Sequence, residues 1–405
     1  MKVWSVLLVT TALAACATRP LPAPLPAQPE TLFHDDAFGP PNETVGIDDV
    51  FTLSEEMRQF IGATFAHRFT MDQRGILERL VQALSTKGNL RLEYDGSVTR
   101  TAAQAFHARA GNCLSLVLMT AAFARAVGVQ VEFQAVDSGE LWSRHGSLLL
   151  ASGHVNAVLT TPRLDGPWMA LQRSVVIDFV PGTDIEELQS HVVSDQTLFA
   201  MYMNNRAAEA LARNELDNAY AWARGAILQD PRYEGSYNTL GVIYAHGGEL
   251  TYAESVFRYA LEIQPGNTRT MSNLASILER RGALAEATRL RRRIAELEPY
   301  PPYYFFDQGM AAMRRNDYHS ARDFFLKEVR RADYNNEFHS WLAVADFKLG
   351  YLEQSREEMS IALERSTDPQ SRQKYSGKLA WLRAAGARAR STANHEEPAG
   401  DPTPQ

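Results

Sequence analysis

Cys113 is the only cysteine in the body of a 405-residue chain whose other thiol, Cys16, lies near its start. It opens the run "CLSLVLMTAAFARAVG" directly after Gly111-Asn112, a turn and cap signal, so the pattern predicts Cys113 in the first turn of a helix. There the unpaired backbone N–H groups and the positive end of the helix dipole favour a thiolate. The same amides can receive the oxygen of a tetrahedral intermediate, which makes Asn112 and Cys113 the candidate oxyanion-hole or site-supporting residues. On local context alone, a cysteine on an apolar helix reads first as a core thiol. Two later residues shift that balance. In "SGHVNAVLTT" strand alternation places His154, Asn156 and Val158 on one face, and in "VVIDFVPG" Asp178 interrupts an apolar strand, where an unpaired charge would be costly. Cys113, His154 and Asp178 thus stand in the order nucleophile, base, acid: imidazole takes the thiol proton and a carboxylate fixes the imidazole tautomer. His145 in "WSRHGSLLL" is the alternative base, expected in a connection between strands, whereas His107 in "QAFHARAGN" is expected in local packing or solvent. No His/Cys cluster has zinc-ligand spacing and no Gly-rich phosphate loop is present, so neither a metal nor a nucleotide cofactor is implied.

The elements that must position these residues span 46–198. "LSEEMRQFIGATFAH" and "MDQRGILERLVQALS" have helical periodicity, the first with Ser54 as N-cap and Glu55 and Glu56 in its first turn. From Leu114 to Ala124 only Ser115 and Thr120 are polar, which predicts a helix buried nearly all round. Three β-rich runs follow, "VQVEFQAV", "GHVNAVLTT" and "MALQRSVVIDFV", giving an α+β order.

The second half repeats itself. Pro231, Pro265 and Pro299 are spaced by 34 residues, the period of the tetratricopeptide helix-turn-helix unit. In the best copy Tyr237, Leu240, Gly241, Tyr244, Ala253, Phe257, Ala260 and Pro265 fill the signature positions. About five copies are expected over 199–368, then a capping helix over 369–387 with Tyr375, Leu379 and Leu382 on one side, and a disordered tail over 388–405. Such an all-α solenoid has a concave face suited to an extended peptide or a partner's helix. The alternative is an array that only packs on the first domain.

The N-terminus supplies the compartment. "MKVWSVLLVTTALAAC" has the order of a secretory signal peptide with an apolar core too short to span a bilayer. Leu13-Ala14-Ala15-Cys16 resembles a bacterial lipobox, which implies lipidation of Cys16 and a bilayer as partner. Ala17 stands where inner-membrane lipoproteins of enterobacteria carry Asp, which favours the outer membrane. The Pro/Ala-rich residues 17–45 are expected to form an extended tether. A net charge of −7 without a long basic run argues against nucleic acid as a partner. With Cys16 acylated, Cys113 is a lone thiol in an oxidising compartment.

Together, "GNCLSLVLMTAAFARAVGVQVEFQAV", "WSRHGSLLLASGHVNAVL" and "VVIDFVPG" resemble the bacterial transglutaminase-like superfamily, with a papain-like core. With "YNTLGVIYAHGGELTYAESVFRYAL" the chain resembles proteobacterial transglutaminase-like proteins that carry C-terminal tetratricopeptide repeats, from about Phe51 to Ala362. The resemblance implies an α+β transglutaminase-like domain followed by an all-α solenoid, in a lipid-anchored protein of the Gram-negative envelope with its folded domains in the periplasm. It implies Cys113 as nucleophile, His154 as base and Asp178 as orienting acid, acting on amide bonds of a protein or peptide by hydrolysis or acyl transfer. The superfamily also holds inactive members, and a catalytically silent scaffold in envelope assembly is the alternative.

Overall fold

The structure is a computed structural model that describes residues 28–66, 71–84, 90, 92–96, 98–145, 148–161, 174–179, 190–301, 303–333, 335–366 and 369–395, with backbone alone for 137–153 and 385–395. The signal peptide with its lipobox cysteine, Cys16, and the last ten positions of the expected tail lie outside the described residues.

The first helices start where capping chemistry puts them. Ser54 Oγ accepts from the Met57 amide at 3.2 Å and opens α1 (Glu55–Thr64); α2 (Gln73–Leu84) follows. A two-residue strand β1 (Glu93–Tyr94) pairs in parallel with β2 (Ala110–Gly111), setting Tyr94 opposite Gly111. Between them lies α3 (Ala102–Ala108), opened by a reciprocal capping box between Thr101 and Gln104. The central helix α4 (Cys113–Val127) is buried at every position from Cys113 to Ala124 and ends at Gly128, whose φ of +79° favours glycine.

Four strands follow: β3 (Gln130–His145), β4 (Leu148–Thr160), β5 (Ser174–Ile177) and β6 (Ser190–Val193), in the antiparallel order β5-β4-β3-β6. Phe133, Val155 and Ala157 share a core with Leu114, Val117, Leu118 and Ala121 of α4, so the nucleophile-bearing helix lies on the sheet. The expected α+β order is therefore present. The connection expected at "WSRHGSLLL" is shorter than expected: β3 runs to His145 and β4 begins at Leu148, in one long hairpin with a register shift between Val136 and Leu141 that pairs His145 with Leu148. Backbone pairing carried the strands past the polar stretch that looked like a loop.

The remainder is five helix pairs: α5 (Asp195–Ala212) with α6 (Leu216–Gln229), α7 (Glu234–Gly247) with α8 (Leu250–Ile263), α9 (Thr268–Arg280) with α10 (Leu284–Leu297), α11 (Tyr304–Arg314) with α12 (Tyr318–Arg331), and α13 (Asn336–Lys348) with α14 (Leu352–Glu364). The signature residues do what their sizes dictate. A Cβ on Gly241 would meet the Phe257 ring at 2.5 Å, and one on Gly309 would meet Phe325 at 2.5 Å, so glycine lets the two helices of a pair close. The tetratricopeptide-type solenoid stands on these pairs.

Three expectations are corrected. Residues 28–45 are not a free tether. Leu32 is buried in the core of the array, His34 stacks on Tyr252 at 3.5 Å between ring centres, and Phe38 stacks on Tyr220 at 4.2 Å. The array even supplies the strap's backbone partners: Tyr244 Oη donates to the Leu32 carbonyl and accepts from the His34 amide, and Asn218 Oδ1 accepts from the Asn42 amide. Secondly, the boundary at 198 does not separate two cores. One cluster runs from Cys113 and Val155 through Leu198, Met201 and Tyr202 of α5 to Ala287 of α10, because α5 is buried on both sides. Thirdly, the terminal helix α15 (Pro369–His395) continues beyond 387, through an Ala- and Arg-rich stretch of strong helix formers.

Candidate functional site

The site begins with the cap of α4. Asn112 Oδ1 accepts from the Ser115 amide at 2.9 Å and from Ser115 Oγ at 2.7 Å, while its Nδ2 donates to Thr99 Oγ1 at 2.8 Å. Asn112 is thus a site-supporting cap, and its side chain is committed to fixing the helix start rather than turned toward a substrate oxygen. Ser115 Oγ in turn accepts from the Arg100 amide at 2.8 Å, and Arg100 pairs with Asp95 at 2.8 Å. These bonds fasten the loop after β1 to the first turn of α4.

That fastening has a consequence at Tyr94, which sequence reasoning missed. Its hydroxyl lies against the backbone amide of Cys113, and burial first, then the neighbouring Cys113, raises its pKa well above the ordinary tyrosine value. It therefore stays a neutral O–H beside the amide expected to bind an oxyanion. The only signal in the sequence was the short alternation of Leu92 and Tyr94 before Asp95-Gly96.

β4 delivers His154 and the end of β5 delivers Asp178. Nε2 of His154 and Oδ2 of Asp178 are 2.6 Å apart, and the side chains are 2% and 3% exposed. Nδ1 of His154 is buried with no hydrogen-bond partner among the described residues, while the Cys113 thiol is close enough to act on the ring's titration. Burial alone would push the imidazole pKa down; the Asp178 hydrogen bond, then Cys113, override it and raise the pKa to about 10. An imidazolium held this way is the counter-ion a thiolate needs. Cys113 itself is 2% exposed and forms no disulfide.

The other histidines fall elsewhere. The backbone of His145 is at the far end of the hairpin, and His154 lies six positions along β4 from its partner Leu148, roughly 20 Å at strand rise. His107 is solvent-exposed beside Glu56.

The array reaches this site through α5. Glu209 Oε1 accepts from the Thr99 amide at 2.6 Å, and Thr99 Oγ1 holds Asn112. Arg206 bridges Glu209 at 3.3 Å and Glu43 of the strap at 2.8 Å. A continuous polar chain thus joins the N-terminal strap, the first repeat and the cap of the cysteine helix.

Comparison with known proteins finds no family model and no curated protein that matches the chain. Among solved structures, PilF of Pseudomonas aeruginosa aligns at 17% identity over 47% of this chain and 90% of that one, with a TM-score of 0.29. TTC0263, a tetratricopeptide-repeat protein of Thermus thermophilus, aligns at 16% over 45% and 99%, with a TM-score of 0.30. YrrB, described as a tetratricopeptide-repeat protein with an unusual peptide-binding site, aligns at 20% over 42% and 89%, with a TM-score of 0.24.

Proposed function

We propose that this chain is a lipid-anchored envelope protein whose transglutaminase-like α+β domain attacks amide bonds through Cys113, and whose repeat array binds protein. The observation that carries the reading is the enclosed His154–Asp178 pair at 2.6 Å beside a cysteine at a helix start. The thiol proton passes to Nδ1 of His154, and sulfur forms a bond to the substrate carbonyl carbon. The oxygen, now negative, is met by the Tyr94 hydroxyl, which the Cys113 amide holds in place. Collapse of the tetrahedral species breaks the C–N bond; the amine leaves with the proton from His154, and a thioester remains on Cys113. Water or a second amine then attacks the thioester, giving up its proton to His154 and restoring the thiol pair. Water makes the protein a peptidase or amidase, and an amine makes it an acyltransferase.

The burial of Cys113 favours a second reading, a silent scaffold in envelope assembly. One experiment separates the two. Purified protein and the Cys113→Ala variant are incubated with envelope proteins in ¹⁸O-water containing a dansylated primary amine. Cys113-dependent ¹⁸O uptake supports hydrolysis and Cys113-dependent dansylation supports transfer. Neither label above the variant's background supports the scaffold.

A further inference from the structure

The solenoid is open between its third and fourth helix pairs. α6 packs on α7, α8 on α9 and α12 on α13, but α10 lacks comparable packing against α11. The sequence encodes the opening on both sides. In α8, Val256, Phe257, Tyr259 and Ala260 are buried; the positions one repeat on in α10 are Leu290, Arg291, Arg293 and Ile294, and none of them is buried. Leu297 on the same helix is 41% exposed. On α11, the residues that replace buried Asn273 and Leu274 are exposed Asp307 and Gln308, which do not suit a leucine-bearing neighbour. α11 instead turns Phe306 inward to Phe325 and Phe338.

We propose that the open face of α10 is a docking surface for an acidic amphipathic helix of a partner protein. Ile294 and Leu297 offer the apolar contact beside Leu290, which is partly buried against the core, and the run from Arg289 to Arg293 keeps an excess of positive charge after Arg291 and Arg293 pair with Glu279 and Glu296. The charge pattern rules against a second copy of this chain. α10 is acidic at its ends, with Glu286, Glu296 and Glu298, and basic at its centre, from Arg289 to Arg293, so antiparallel self-pairing would set arginine against arginine. β4 already lies against α5 and α9, the first helices of the first and third pairs. This inference deepens the protein-binding part of the proposed function and is independent of the chemistry at Cys113.

The probe is a fluorescein-labelled helical peptide with leucines at i, i+3 and i+7 and glutamates on the flanks, compared with a scrambled peptide of equal composition, by anisotropy on the full chain. The wild type should bind the amphipathic form at least about tenfold more tightly than the scramble. The Leu297→Glu variant, changed at an exposed position of α10, should lose that preference. Leu228→Glu, at an exposed leucine of α6, should keep it. Equal affinity in wild type and the α10 variant would overturn the α10 site while leaving protein binding elsewhere on the array intact. No preference by the wild type would overturn the inference, and so would sedimentation showing a dimer that Leu297→Glu dissociates.

Discussion

Oδ1 of Asn112 is held by the amide and hydroxyl of Ser115 at 2.9 and 2.7 Å, so the residue preceding the cysteine is spent on placing it. Asn112→Ala removes that cap and takes the Asn112 hydrogen bond from both Thr99 Oγ1 and Ser115 Oγ. The expected loss is about 1–3 kcal/mol, measured by urea unfolding. A change below about 0.5 kcal/mol would mean that the cap is not held as described.

His154 gives the stability a pH dependence with a definite sign. Its folded pKa, near 10, lies above the unfolded value of about 6.5. The contribution is therefore complete below about pH 6.5 and is lost as pH rises toward about 10. Melting temperature should fall across that window in the wild type and fall less in His154→Gln. Parallel curves for the two proteins would contradict the assignment.

Gly241→Ala should destabilise the second repeat by about 1–3 kcal/mol, because its Cβ would meet the Phe257 ring. Gly266→Ala, where nothing lies within 4 Å, should change stability little. Calorimetry on both variants checks the contrast.

The order Cys113, His154, Asp178 could be read because two of the three stand out from their surroundings: a thiol at a helix start and an acid at the end of an apolar run. The repeat was legible because a 34-residue period survives in side-chain size. What stayed hidden depends on distant contacts. Tyr94 sits in a two-residue strand that exists only because Gly111 pairs with it. The strap reads as a tether because its stabilising partners, Asn218, Tyr220, Tyr244 and Tyr252, come from another part of the chain.

The shared core predicts coupling across the boundary between the halves. Ala253→Trp should force α7 and α8 apart and lower the unfolding transition seen at Cys113 together with that of the repeats. Two separated transitions would show that the halves fold independently. Glu209→Ala tests the polar chain more locally: it strips the Thr99 amide of its acceptor, and hydrogen exchange at Thr99 should rise.

The central claim is that His154 activates Cys113, and the rate of iodoacetamide labelling of Cys113 against pH, read by mass spectrometry, tests it most directly. With the imidazolium in place, the wild type should label at pH 6 while His154→Ala slows at that pH on the order of a hundredfold, the two rates converging as pH approaches 10. If the two proteins label alike at pH 6, Cys113 is a core thiol and the enzymatic reading is wrong.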